Sequence, residues 1–119
     1  MTLLVHTFVY DADGGHHFLD DPEHGDTLAG FESTRAGLWG SEAFRSLGSR
    51  FFPRLDGDNL CVEREEIDDF LAECEAIRPH LAHLAVQTGH DTGYVTKRFD
   101  NIVAAALRAK AEGGGILVW

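Results

Sequence analysis

The feature that most constrains this fold is the helical spacing of apolar residues in the C-terminal half of the chain. One such stripe begins after Arg64 and contains Ile67, Phe70, Leu71, Cys74, Ile77, Leu81, Leu84 and Ala85. A second contains Val95, Phe99, Ile102, Val103, Ala106 and Leu107. Residues recurring at this spacing share one face of an α-helix, so two amphipathic helices are predicted, each burying one side.

Punctuating residues set the ends of these helices. Pro79 lacks an amide donor and disfavours helical geometry at Arg78, so a kink or break is expected there. Asp91 or Thr92 is placed to cap the second helix, and Gly113 to end it.

Strand signals lie on either side of the helical half. Residues 3–10 are rich in β-branched and aromatic types, a glycine-bearing loop follows, and residues 16–19 predict the return strand of a hairpin. Residues 60–62 follow an Asp/Gly turn and predict a central strand. Residues 114–119 end the chain with four uncharged apolar residues, which predict a buried strand.

The connecting segments are less regular. Residues 20–32 show no periodic pattern and are expected to form an exposed loop. Residues 34–47 predict one broken helix or two short ones, with Ser41 as a cap. Pro53 limits residues 51–55 to an edge or irregular strand. We therefore expect a single domain spanning 1–119, of the α+β class, whose small and mainly antiparallel sheet packs against two longer helices.

The net charge of −10 limits the partners of this chain. Phosphate backbones and anionic lipid surfaces would repel it, so neither nucleic acid nor a membrane is an expected partner. Residues 56–75 hold nine of the acids against Arg64 alone. With no signal-like N-terminus and no apolar run near the roughly 18 residues of a membrane span, the expected location is cytoplasmic.

Several clusters carry the right atoms for chemistry but lack a recognisable spacing. The histidines and acids at the N-terminal hairpin predict either a polar exposed loop or a metal site (His16, His17, Asp20, Asp21, Glu23, His24). No sequence pattern pairs Cys61 or Cys74 with a histidine as a catalytic dyad. The sequence therefore assigns no catalytic residue, metal ligand or cofactor, and a non-enzymatic role is favoured.

The acids of the first helix lie mostly away from its apolar stripe, and folding should concentrate them on one surface. Such a surface either keeps the protein soluble or steers a basic partner toward it. For docking, the candidate contact residues are Glu65, Glu66, Asp68, Asp69 and Glu73.

The run from Leu55 to Glu66, with the ending from Asn101 to Trp119, resembles small acidic bacterial α+β proteins, some of which are immunity proteins that neutralise a toxin domain. The resemblance implies a protein-binding domain whose partner is basic. Two alternatives remain open: a small metal- or ligand-binding protein that uses the hairpin, and a structural homodimer paired through edge strands or the C-terminal strand.

Overall fold

The structure, a computed structural model, describes residues 2–22 and 25–119. Its five described strands are β1 (Thr2–Tyr10), β2 (His16–Phe18), β3 (Leu28–Phe31), β4 (Leu60–Val62) and β5 (Gly115–Val118). The α-helices are α1 (Glu42–Ser46), α2 (Ile67–Ile77), α3 (Leu81–Thr88) and α4 (Thr92–Glu112). All strand pairs are antiparallel, and the helices pack against the sheet, so the predicted α+β class is confirmed.

The C-terminal strand β5 lies inside the sheet, between β1 and β4, as the order β2-β1-β5-β4 shows. The chain at the start of β5 lies so close to β1 and β4 that only glycine fits there. A Cβ on Gly115 would lie 2.1 Å from the Val62 carbonyl oxygen, and one on Gly114 would lie 1.8 Å from that of Phe8. The uncharged tail is therefore a buried strand, as predicted.

Alternation along β1 gives the sheet an inner and an outer face. Leu3 and Val5 belong to the core, and the Thr7 hydroxyl donates to the Ala105 carbonyl oxygen of α4. The helices therefore cover the face of the odd-numbered residues. His6 and the other even-numbered residues point to the opposite, outer face.

Two expectations for the connecting segments are wrong. Residues 28–31 are not loop but strand β3, which pairs with the first residues of β1. This segment is extended because it pairs with β1, and the sequence of the segment itself gives no sign of that pairing. Residues 52–55 form a 3₁₀ turn in place of an irregular strand, since Pro53 suits the first turn of a helix.

The other expectations for the helical segments are confirmed, except for the cap by Ser41, whose buried hydroxyl has no hydrogen-bond partner among the described residues. A 3₁₀ turn containing Pro79 separates α2 from α3, and the Asp91 carboxylate accepts the Tyr94 amide at the start of α4. Gly113 ends α4 with a φ of 71°. Residues 34–47 form two short pieces, a π-helical turn (Arg35–Trp39) and α1, with Ser41 at the N-cap position but without a side-chain cap bond. None of the helices in the described ranges combines the length and apolar character needed to cross a bilayer.

Candidate partner-binding surface

Glu73, one of the five candidate contact residues, is used inside the fold. Its carboxylate accepts hydrogen bonds from the Ser49 hydroxyl (2.9 Å) and from the amides of Arg50 (2.6 Å) and Phe51 (3.1 Å). These groups precede the 3₁₀ turn Phe52–Leu55, whose first amides have no partner within the turn. Glu73 therefore caps this turn and ties it to α2.

Of the four other candidates, Glu65, Asp68 and Asp69 are exposed and Glu66 is partly exposed. Three of the four lie beside cations. Glu66 pairs with Arg54 at 3.1 Å, and Asp68 with Lys110 at 2.9 Å. Glu65 contacts its neighbour Arg64 at 3.2 Å. Its own backbone amide and then Arg64 lower the pKa of the Glu65 carboxyl. In sequence, the acids of this segment have few basic neighbours. In the fold, Arg54 and Lys110 come from distant segments and pair with two of them.

Helix α2 divides its exposed acids between two flanks. Asp68 lies on the side that faces Lys110 of α4, whereas Asp69 lines a groove with Arg50, between α2 and residues 47–50. The exposed residues Ala72 and Ala76 also line this groove. Among the described residues, no cation lies within ion-pair distance of Asp69. The five candidates therefore do not form one continuous acidic patch.

A second polar cluster surrounds Glu63, just after β4. The Tyr10 hydroxyl donates to its carboxylate, His16 Nε2 lies 3.3 Å from the same oxygen, and the Cys61 thiol lies 3.6 Å from the other oxygen. Burial, followed by the bond to Glu63, raises the pKa of Tyr10. The guanidinium of Arg64 lies over the Tyr10 ring at 4.5 Å. This cluster joins the N-terminal hairpin to the segment that leads into α2.

The cysteines are free, and their surroundings suppress thiolate formation. Burial, followed by the charge of Glu63, raises the pKa of Cys61 to about 11. Burial raises the pKa of Cys74 to about 12. Nucleophilic attack requires the thiolate, so neither thiol is activated in this environment.

The polar residues of the N-terminal hairpin and the loop after it contact different partners. His16 lies at Glu63, whereas Asp21 lies 3.6 Å from His6 Nε2. Glu23 and His24, part of the predicted cluster, lie outside the described residues. In ranges 2–22 and 25–119, no three His, Cys, Asp or Glu side chains come together as a metal-binding group.

A cleft of about 110 Å³ opens between β1, residues 19–27 and α4. Its polar lining includes His6, Asp20, Asp21, Asn101 and Arg108. Small residues of α4 and apolar residues of the sheet and loop complete the walls (Val5, Leu19, Ala104, Ala105). Arg108 donates to the main-chain oxygen of Asp20 at 2.7 Å, and Asn101 donates to that of Leu28 at 2.9 Å. The cleft has room for a small polar molecule.

Three aromatic rings meet on the outer face of the sheet, a feature the sequence did not suggest. The ring centroids of Phe18 and Trp119 lie 5.5 Å apart, and His6 lies 5.6 Å from Phe18 and 5.9 Å from Trp119. The residues come from β2, the end of the chain and β1. Such a contact is invisible in sequence because it depends on the pairing of three distant segments.

Comparison with known proteins gives no further assignment: no protein-family model, curated protein or solved structure matches this chain.

Proposed function

We propose that this protein is a non-enzymatic binding domain that docks on a basic partner protein, in the manner of an immunity or inhibitor protein covering a toxin domain. The observation that carries the proposal is the net charge of −10 on a folded chain of 119 residues. A field of this sign raises the rate at which a basic partner is encountered.

Of the five candidate contact residues, we retain those whose carboxylates lie at the surface after folding. Glu65 and Asp69 are the first candidates, since the ion pair of Glu65 in the described part of the chain is with its sequence neighbour Arg64, and Asp69 lies at a groove. Glu66 and Asp68 are exposed enough to exchange Arg54 and Lys110 for cations of the partner. Glu73 is excluded, because its carboxylate is occupied by internal hydrogen bonds.

These acids are suited to steering more than to anchoring. An ion pair between exposed side chains contributes about 0.2–1 kcal/mol, so four such pairs do not account for tight inhibition. Complementary charge mainly raises the association rate and selects against partners of the wrong sign. The proposal therefore predicts strong dependence of binding on salt.

The test is affinity capture of the tagged protein from its native cells at low and high salt, with the retained proteins identified by mass spectrometry. We expect one stoichiometric basic partner that is released at high salt. The same capture is repeated with Glu65→Lys/Asp69→Lys, and with Glu42→Lys/Glu112→Lys as the control, which changes the net charge equally at two exposed sites elsewhere. Equal loss in both double variants would show that only total charge matters and would overturn the assigned contact residues.

A second function is favoured by the cleft at β1 and α4. His6, Asp20, Asp21 and Arg108 give it a few polar groups beside apolar walls, as is typical of a small-ligand site. Calorimetric titration with zinc, nickel and manganese, then with small amines and carboxylates, separates this function from protein docking. Saturable heat that His6→Ala abolishes would favour ligand binding, whereas its absence would leave the cleft without a ligand among the compounds tried.

A further inference from the structure

The aromatic cluster of Phe18, Trp119 and His6 lies on the face of the sheet that the helices leave open. Phe18 pairs opposite Phe8, Trp119 pairs opposite Leu4, and His6 lies between them on β1. All belong to the outer face, because the odd-numbered residues of β1 meet the helical core. The helices therefore pack on the other side of the sheet, although His6 also lines the cleft that opens toward α4.

The exposure of these rings is unusual for their size. Phe18 is 41% exposed and Trp119 is 44% exposed, although each contacts the other. A single exposed apolar residue on a soluble protein requires no explanation, but clustered ones mark interaction surfaces. Exposed tryptophan and other aromatic rings are also the residues that most often dominate binding energy at protein interfaces.

The hydrogen bonding of the cluster leaves its ring faces available. The Trp119 indole N–H donates to His6 Nδ1 at 2.8 Å, so the proton of a neutral His6 ring is on Nε2, facing Asp21. The rings are thus held in place by one another, and Asp21 provides a carboxylate beside them.

The surrounding charge fixes the sign of the partner. The first 34 residues contain seven acids and neither lysine nor arginine. Cations from other segments do meet this region: Arg35 pairs with Glu32, Arg64 lies over the Tyr10 ring, and Arg108 donates to the main-chain oxygen of Asp20. Among the described residues, no lysine or arginine lies within ion-pair distance of Asp21, which is beside His6. An aromatic surface with an acidic rim is complementary to a guanidinium or ammonium group, which is attracted to ring faces and to carboxylates alike.

We propose that the Phe18–Trp119–His6 cluster, with Asp21 at its rim, is a docking site for an arginine-bearing apolar segment of a partner protein. The guanidinium stacks on the exposed rings and approaches Asp21, while apolar side chains of the same segment cover Phe18. Arginine is favoured over lysine because its planar group stacks on aromatic faces. This inference takes from the proposed function only the positive charge of the partner.

The test follows the indole N–H signal of Trp119 by NMR during titration with short peptides. The probe is the peptide Ac-Leu-Arg-Leu-Arg-NH₂, and the matched control replaces both arginines by glutamine. We expect saturable movement of the Trp119 signal, with binding about fivefold tighter for the arginine peptide, as a cation–π contact at an exposed site implies. Equal binding of the two peptides, or no saturable movement, would overturn the proposal.

Variants locate the site. Phe18→Ser and Asp21→Asn should each weaken binding of the arginine peptide about twofold to fivefold. Val86→Ser is the control, because Val86 is 76% exposed on α3, away from the sheet. Unchanged affinity in Phe18→Ser would also overturn the proposal, and the folded spectrum of that variant shows in the same experiment that the chain remains native.

Three further outcomes separate this inference from its alternatives and from the proposed function. Concentration-dependent broadening of the cluster signals without peptide, with a dimer in light scattering, would show that a second copy covers the face and would overturn the arginine-segment proposal. If Phe18→Ser leaves capture of the cellular partner intact while Glu65→Lys/Asp69→Lys abolishes it, the inference fails and the proposed function stands. If the arginine peptide binds but no cellular partner is captured, the inference stands and the proposed function fails.

Discussion

Replacement of Glu73 by alanine tests whether the hydrogen bonds of this acid to residues 49–51 stabilise the fold. The substitution removes the acceptor of the Ser49 hydroxyl and of the Phe51 amide, and Ser49 and Phe51 are 8% and 3% exposed. The Arg50 amide also loses its acceptor, but Arg50 is exposed and its amide can turn to water.

The magnitude follows from the two buried donors. A buried donor left without a partner costs about 1–3 kcal/mol, so the expected loss in the free energy of unfolding for two donors is roughly 2–6 kcal/mol. For a domain of this length, a loss of that size lowers Tm by roughly 10–20 °C. Glu73→Gln keeps one oxygen acceptor and should lose about half as much.

Urea unfolding followed by tryptophan fluorescence measures the effect, since Trp39 is fully buried and reports on the core. Glu75→Ala is the matched control: it removes an exposed acid two residues away on the same helix, and the expected change is within about 0.5 kcal/mol. Equal losses in Glu73→Ala and Glu75→Ala would refute the capping role and return Glu73 to the surface acids.

Three further predictions concern the sheet and the cysteines. Gly115→Ala should prevent folding or lower the free energy of unfolding by more than about 3 kcal/mol, because its Cβ would meet the Val62 carbonyl oxygen. Gly37→Ala should be tolerated, since no atom lies within 4 Å of the added Cβ. Circular dichroism shows whether each variant folds, and urea unfolding measures its stability. Cys61, with its pKa raised from 9.0 to about 11, should react with Ellman's reagent at pH 8 about a hundredfold more slowly in the native protein than in urea. The free energy of unfolding should fall as pH rises from about 9 toward 11, because the unfolded chain releases thiol protons that the folded chain retains, and Cys61→Ser should flatten this slope; a slope unchanged in that variant would contradict the assignment.

The periodic parts of the fold were predictable, because their residues carry the information locally. The stripes of α2 and α4, the Pro79 break, the Gly113 end and the uncharged tail all follow from spacing or from one residue type. Strand β3 was not predictable, because Leu28–Phe31 is short and extended only through its pairing with β1. The turn at residues 52–55 likewise depends on Glu73, some twenty residues away in sequence.

The candidate site shows the same division between local and distant information. The acids of residues 64–75 were visible in sequence, but the cations that meet them come from other segments, as Arg54 and Lys110 show. Charge counted along the chain therefore overstates the field at the surface of α2. The cluster of Phe18, Trp119 and His6 joins residues more than a hundred positions apart, and no pattern of spacing reveals it.

We propose that exposed acids recruit a basic partner without supporting the fold. The most direct measurement records partner retention and Tm side by side for Glu65→Lys/Asp69→Lys and for the wild-type protein. We expect retention to be lost while Tm changes by no more than about 4 °C, since both side chains lie at the surface and each substitution changes the free energy of unfolding by about 0.5 kcal/mol at most. Retention equal to that of the wild-type protein, or a loss of retention that only follows a loss of folding, would contradict it.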